Sequence, residues 1–169
     1  KDTYGVWVRA CKKAGAKVFL DADGELLQAG MEAAPYLIKP NDHELCALLG
    51  KNLETLEELE AAAHSLMEQY KIEKVVISMG GKGALYVTGE GTIYAKGLKV
   101  TVGSTVGAGD SVVAALAVAE EAGKGLEDTV RLSMASGAAN VMCSGTQAAE
   151  YEAVAKLISK VEFLRLENC

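Results

Sequence analysis

Residues 74–79, KVVISM, form a short β-branched apolar run that is the best strand pattern in the sequence. The residues after it restrict the fold further. GGKGALYVT and GTIYAKG are two alternating runs with Gly89 to Gly91 between them, the pattern of a β-hairpin. Upstream, extended and helical patterns alternate. Residues 2–14 read as a helix with Val6, Ala10, Cys11 and Ala14 at core spacing, KVFLD as a strand ending at Asp21, and GELLQAGMEA as a helix. YLIK is a second strand, and PNDHELCALLG turns into a short helix that Asn41 or Asp42 caps. A longer helix spans about 55–70, with an acidic outer face. Three helices, at about 108–122, 127–142 and 150–160, fill the remainder. Strand–helix alternation, a central hairpin and terminal helices predict an α/β layered fold in one domain, with no linker or repeat.

Composition agrees. Half of the 169 residues are apolar, and Gly (18) far outnumbers Pro (2), as expected for helices packed on a sheet through glycine-punctuated loops. The net charge of −6, without a basic stripe, argues against nucleic acid or an anionic membrane as partner. An anionic ligand therefore needs a local device. Cys11, Cys46, Cys143 and Cys169 form no CxxC pair, and no secretory or membrane-length segment is present, so a reducing cytoplasm is the default expectation. Cys11, Cys46 and Cys143 are expected as buried thiols. The chain opens at Lys1 inside a helical pattern, which suggests a piece of something longer.

Such a local device is offered by STVGAGDSVVAAL, residues 104–116. Around Gly107 and Gly109 no bulky side chain blocks a ligand, so backbone N–H groups can converge at a helix N-terminus carrying about half a positive charge. That combination binds phosphate, and Asp110 in the first turn is placed to take a proton from a neighbouring nucleophile. The competing reading is that Asp110 complements the helix dipole while the glycines merely turn the chain. A Walker loop is excluded, because Asp110 rather than lysine precedes Ser111. A dinucleotide fingerprint is excluded by Val112 at its third glycine position.

Two further segments carry polar groups at suggestive spacing. In KPNDHE, Asn41 and Glu44 share one face of a helical turn, where they suit Mg²⁺ directly or through its waters; an ordinary capping box explains the same spacing. SMGGKGALY ends a strand in small residues, which lets backbone approach a phosphorylated or flat ligand, or simply makes a tight turn. His43 and His64 read as surface helix residues, without a second ligand at metal spacing.

These three segments, in this order, resemble the ribokinase-like sugar kinases of the phosphofructokinase B type. STVGAGDSVVAAL is similar to that family's C-terminal signature, IKPNDHEL to its Asn-x-x-Glu motif with the preceding Lys-Pro, and VVISMGGKGALYV to its nucleotide-side strand and turn. VFLDADGELL fits the strand and turn that precede the Asn-x-x-Glu motif. Within the family, the resemblance is to 1-phosphofructokinases and tagatose-6-phosphate kinases, with fructose 1-phosphate preferred as substrate. It covers essentially the whole chain but only the C-terminal half of a family member.

The resemblance implies a three-layer α/β/α fold with a mostly parallel sheet, and ATP and Mg²⁺ as cofactors. Asp110 would be the base that deprotonates the acceptor hydroxyl, and Gly107, Ala108 and Gly109 would donate to the transferring γ-phosphoryl group. Asn41 and Glu44 would organise Mg²⁺ through water, and Lys39 would touch ATP phosphates. Ser78, Gly80, Gly83 and Thr105, with Gly109, would border the nucleotide, and residues 136–146 would wall the adenine or else form a tightly packed helix and its cap. The family's N-terminal half, which supplies the sugar contacts, most of the sheet and the lid, has no counterpart here, so residues 1–169 are expected as the catalytic, nucleotide-binding portion with negligible turnover alone. A truncated sheet implies self-association, hence a homo-oligomer. A non-catalytic nucleotide-binding module and a kinase for a nucleoside or vitamin-like alcohol are the alternatives.

Overall fold

The computed structural model describes residues 2–145 and 147–166, which divide into two compact units. One comprises residues 2–79, 85–92 and 166, the other residues 80–84 and 93–165.

In the first unit, helix α1 (Thr3–Lys13) precedes strand β1 (Phe19–Leu20), and helix α2 (Gly24–Met31) precedes β2 (Leu37–Ile38). Helices α3 (Asp42–Leu49) and α4 (Leu56–Tyr70) lead to β3 (Lys74–Ser78), and most of β4 (Gly83–Thr88) completes the unit. Across it the strands run in chain order, with β1–β2 and β2–β3 parallel and Leu37 opposite both Phe19 and Lys74. Leu37, Ile38, Val75, Val76 and Ile77 are buried among Leu27, Met31, Leu45, Leu59 and Leu66 from the helices. Burial on both faces is why KVVISM reads as a continuous apolar run instead of an alternating one.

Local signals set the helix ends. Thr55 and Glu58 form a capping box at the start of α4, and Gly50 ends α3 in the left-handed region at φ 61°. At the hairpin, the Thr88 hydroxyl donates to the Gly91 carbonyl and accepts from Glu90 N–H, each at 3.1 Å. Helix α1 corrects the expected phase. Gly5 and Val8 are buried, whereas Val6 is 53 % exposed. A Cβ at Gly5 would lie 2.9 Å from the Ala29 carbonyl of α2, and that close approach turns the glycine face inward.

In the second unit, β5 (Gly91–Lys96, entering from the hairpin) is followed by α5 (Ala108–Glu121), α6 (Leu126–Val141) and α7 (Tyr151–Ile158). Helix α5 packs on α6, and α6 on α7. A final strand, β6 (Phe163–Leu166), runs beside β5, where Lys96 N–H donates to the Glu162 carbonyl at 2.9 Å. Sequence patterning predicts only helices in this region and misses the strand, because FLRL is too short to show a period of its own. Side chains from α6 hold it: the Arg131 guanidinium lies 4.7 Å from the Phe163 ring centroid, and Glu127 accepts from Arg165 at 3.3 Å.

The cysteines also depart from expectation. Cys11 is exposed on α1, while Cys46 and Cys143 are half-buried; Cys169 lies outside the described residues. Cys46 Sγ accepts from Leu53 N–H at 3.4 Å and Cys143 Sγ donates to the Ala139 carbonyl at 3.5 Å, so Cys46 faces the loop after α3 and Cys143 follows the end of α6, neither of them in the core. Among the described residues no helix is long and apolar enough to cross a membrane.

Candidate functional site

The parallel strands of the first unit end side by side, and their C-terminal ends gather polar groups. In open α/β sheets this edge is where ligands bind. Beyond β1 stands Asp21, beyond β2 come Lys39, Pro40 and Asn41, and Ser78 closes β3. Lys39 N–H donates to the Leu20 carbonyl at 3.1 Å, and Ser78 N–H donates to the Pro40 carbonyl at 3.0 Å, with Asn41 bridged to Ser78 in parallel register. The Lys39 side chain is buried and its ammonium sits 3.0 Å from Asp21 Oδ2. Burying an ammonium is unfavourable unless it is paired, and Asp21 supplies the pair while keeping a third of its own side chain in solvent. Asp21 is the residue that sequence reasoning passed over; its signal was a lone carboxylate directly after the apolar VFL.

Asn41 and Glu44 make a full capping box. Asn41 Oδ1 accepts from Glu44 N–H at 2.8 Å, and Glu44 Oε2 accepts from Asn41 N–H at 2.9 Å. The ordinary reading of Asn-x-x-Glu is thus realised, and it engages the single side-chain oxygen of Asn41 and one of the two of Glu44. Glu44 Oε1 makes no hydrogen bond among the described residues and is available to a hydrated cation. Among those residues no group of three or more His, Cys, Asp or Glu could enclose a metal, so this donor set suits Mg²⁺ that keeps most of its waters. His43 and His64 lie at the helix surface, as expected.

In the second unit, Gly80 and Gly83 bracket a 3₁₀ turn over Gly80–Lys82. Gly83, at φ 116°, backs onto Ala95 and Gly97, where a Cβ would overlap the Ala95 carbonyl oxygen. The Lys82 carbonyl accepts from Tyr94 Oη at 2.8 Å and from Gly97 N–H at 3.2 Å, fixing the turn.

Farther along this unit lies the start of α5. Gly103 and Ser104 N–H donate to the Val141 carbonyl at 2.8 and 3.1 Å, which ties the loop to the end of α6. Thr105 is exposed, and Gly107 takes the N-cap place with φ 82° and no side chain to cap with. Ala108 N–H makes only a long 3.4 Å bond to the Thr105 carbonyl. The N–H groups of Gly109 and Asp110 find no acceptor among the described residues, and both residues are exposed. Asp110 lies in the first turn but caps nothing. The result is an uncapped helix N-terminus with donors facing solvent and a carboxylate beside them, which is the arrangement an anion site requires.

Residues 136–145 end α6 and the turn after it; Thr146 lies outside the described residues. Ala135, Gly137, Ala139 and Asn140 are buried, and a Cβ at Gly137 would meet Val112 Cγ2 at 2.7 Å. The small-residue run therefore serves α5–α6 packing, whatever else it borders.

Known proteins resemble this chain in sequence and in fold. The 1-phosphofructokinase of Haemophilus influenzae is 38% identical over 168 residues, covering 99% of this chain and 53% of its own length. Phosphofructokinase-2 of Escherichia coli, solved with potassium, superposes with a TM-score of 0.87 at 32% identity, over 94% of this chain and 52% of that one. The same enzyme is also known in a tetrameric inhibited form. Arabidopsis thaliana ribokinase, solved with ribose and ATP, gives a TM-score of 0.81 at 28% identity, over 94% of this chain and 53% of that one. The chain thus spans about half the length of the curated relatives it matches. Its fold is the ribokinase-like α/β type, a mostly parallel sheet with flanking helices. With the model of the pfkB family carbohydrate kinases matching residues 1–153, this chain belongs to that family.

Proposed function

We propose that these residues form the phosphoryl-transfer portion of an ATP-dependent sugar-phosphate kinase, moving the γ-phosphoryl group of ATP onto a hydroxyl of fructose 1-phosphate. The observation that carries this reading is the open start of α5, where Gly109 and Asp110 present N–H groups with no acceptor among the described residues and Asp110 presents a carboxylate that caps nothing.

The chemistry asks for little covalent work and much positioning. Gly107, Ala108 and Gly109 donate to the transferring group, where charge accumulates on its oxygens. Asp110 accepts the proton that leaves the sugar hydroxyl as the O–P bond forms, and ADP departs with the electrons of the broken bond. Lys39 turns from Asp21 towards the ATP phosphates. Ser78, Gly80, Gly83 and Thr105 border the nucleotide through backbone and small side chains. Asn41 and Glu44 hold Mg²⁺ through water. When bound, the ion neutralises charge on the phosphate oxygens. The name of the Haemophilus influenzae relative favours fructose 1-phosphate over tagatose 6-phosphate. The tetrameric form of the Escherichia coli relative supports self-association of this chain too.

Titration of Mg·ATP into the 169-residue chain tests the nucleotide half of this reading. Saturable binding that survives Asp110→Asn and is lost in Lys39→Met is expected; the absence of binding heat would reject it. For turnover, measured in a protein that joins these residues to a family member's N-terminal half, Asp110→Asn should lower the rate on the order of a hundred- to ten-thousand-fold at little-changed ATP affinity. If it lowers affinity alone, the chain is a nucleotide-binding module. Turnover by the 169 residues without further chain is expected to be negligible, and robust conversion of fructose 1-phosphate would contradict that.

A further inference from the structure

We propose that Asn140 is a positioning residue of the α5 phosphate cradle and reaches a bound phosphoryl group through one water. The starting observation is an acceptor with nothing to accept. Asn140, on α6, is 4 % exposed. Its Nδ2 donates to the Gln147 carbonyl at 3.0 Å, which decides the way the carboxamide faces, since a flip would set two oxygens against each other. Oδ1 is left buried and without a hydrogen-bond partner among the described residues. A Cβ placed on Gly107 would lie 3.5 Å from this oxygen, so Oδ1 is aimed at the N-cap of α5. Buried acceptors are ordinarily paired, and an orphan beside an uncapped helix start is completed when the site fills.

A bare acceptor facing an anion would repel it. A water admitted between them, as the loop before α5 shifts on filling, reverses the sign, giving one hydrogen to Asn140 Oδ1 and the other to a phosphoryl oxygen. Only a residue with both a donor and an acceptor on one rigid plane can hold Gln147 and that water together. Serine, alanine or a carboxylate at this place loses one of the two. The inference deepens the phosphoryl-transfer reading of the same cradle and rests on it.

The test compares Mg·ATP titrations of the wild-type 169-residue chain with Asn140→Asp and Asn140→Leu, each checked for unchanged circular dichroism. Both variants should bind about tenfold more weakly, the effect of losing one hydrogen bond to a charged group. In Asn140→Asp the new carboxylate faces the phosphate, so affinity should recover as pH falls into the carboxylate range and the repelling charge is lost. Asn140→Leu should follow the wild-type pH profile. In nitrogen-15 spectra of Asn140→Asp without ligand, the Gly107 amide should titrate with that carboxyl. Wild-type affinity in both variants, or a flat Gly107 amide profile, overturns the proposal while leaving the kinase reading intact. Failure of the wild-type chain to bind Mg·ATP removes the kinase reading and this inference together. If Asn140→Asp does not fold, the Asn140→Leu affinity decides alone.

Discussion

Lys39 Nζ stands 3.0 Å from Asp21 Oδ2, with the lysine side chain 8 % exposed and the aspartate 33 %. The two ends of this pair are not equivalent. Removing the carboxylate strands a buried ammonium, whereas removing the ammonium leaves a carboxylate that water can reach. Asp21→Asn should therefore cost about 2–3 kcal/mol of unfolding free energy, below the range for fully buried pairs because Asp21 is partly solvated. Lys39→Met should cost about 1 kcal/mol or less, since its methylenes keep their packing. Urea unfolding of both variants checks the order, and a larger loss for Lys39→Met would contradict it.

The capping box at α3 separates structural from ionic duty. Asn41→Ala removes the cap and should cost about 1 kcal/mol. Glu44→Gln keeps an oxygen for the Asn41 N–H and should change stability by no more than about 0.5 kcal/mol. The same variant loses the charge offered to a hydrated cation, so the Mg²⁺ concentration needed for ATP binding should rise. Equal Mg²⁺ dependence in wild-type and Glu44→Gln chains would leave the motif as a cap alone.

Gly83 and Gly81 make a matched pair for backbone strain. Gly83 has φ 116° and no room for a Cβ against Ala95, whereas nothing lies within 4 Å of a Cβ at Gly81. Gly83→Ala should lose on the order of 3 kcal/mol, combining strain with overlap. Gly81→Ala should stay within about 0.5 kcal/mol of wild type. Thermal unfolding of the two variants distinguishes the sites directly.

Glu58 gives a pH dependence whose sign is set by its partners. The N–H of Glu54, and then that of Thr55, hold its carboxyl below the ordinary carboxylate range. A depressed native pKa means that the group adds stability above its unfolded pKa and loses it as pH falls through the native value. Protection factors of amides in the first turn of α4, with the intrinsic pH dependence of exchange divided out, should therefore fall on acidification. Glu58→Gln should remove that acid dependence, and an unchanged profile would assign the effect to another carboxyl.

Much of this arrangement is legible from the chain. β3, the hairpin and the helices α2 to α7 announce themselves because their periods run long enough to see, and Thr55 and Asn41 mark helix starts by cap chemistry. The face of α1 is misread from sequence because Val6 and Cys11 satisfy the apolar pattern while Gly5, invisible to it, makes the contact with Ala29. β6 escapes notice because FLRL has no period of its own and is held by Arg131 and Glu127 from far away in sequence. Among the candidate site residues, Asp110 and its glycines stand out by composition. Asp21 and Asn140 do not, since each matters through one contact to a residue distant in the chain or buried beside it.

Residue order alone determined the alternation of strand and helix, the helix caps, and a glycine-flanked helix start bearing Asp110, because all of these depend on neighbours within a turn or a strand. Tertiary structure decided which carboxylate neutralises Lys39, which helix face Gly5 buries, and that Asn140 keeps an oxygen beside Gly107 with no partner among the described residues. Those outcomes depend on what a distant segment brings within a few ångströms, and burial then sets the energetic consequence of each meeting.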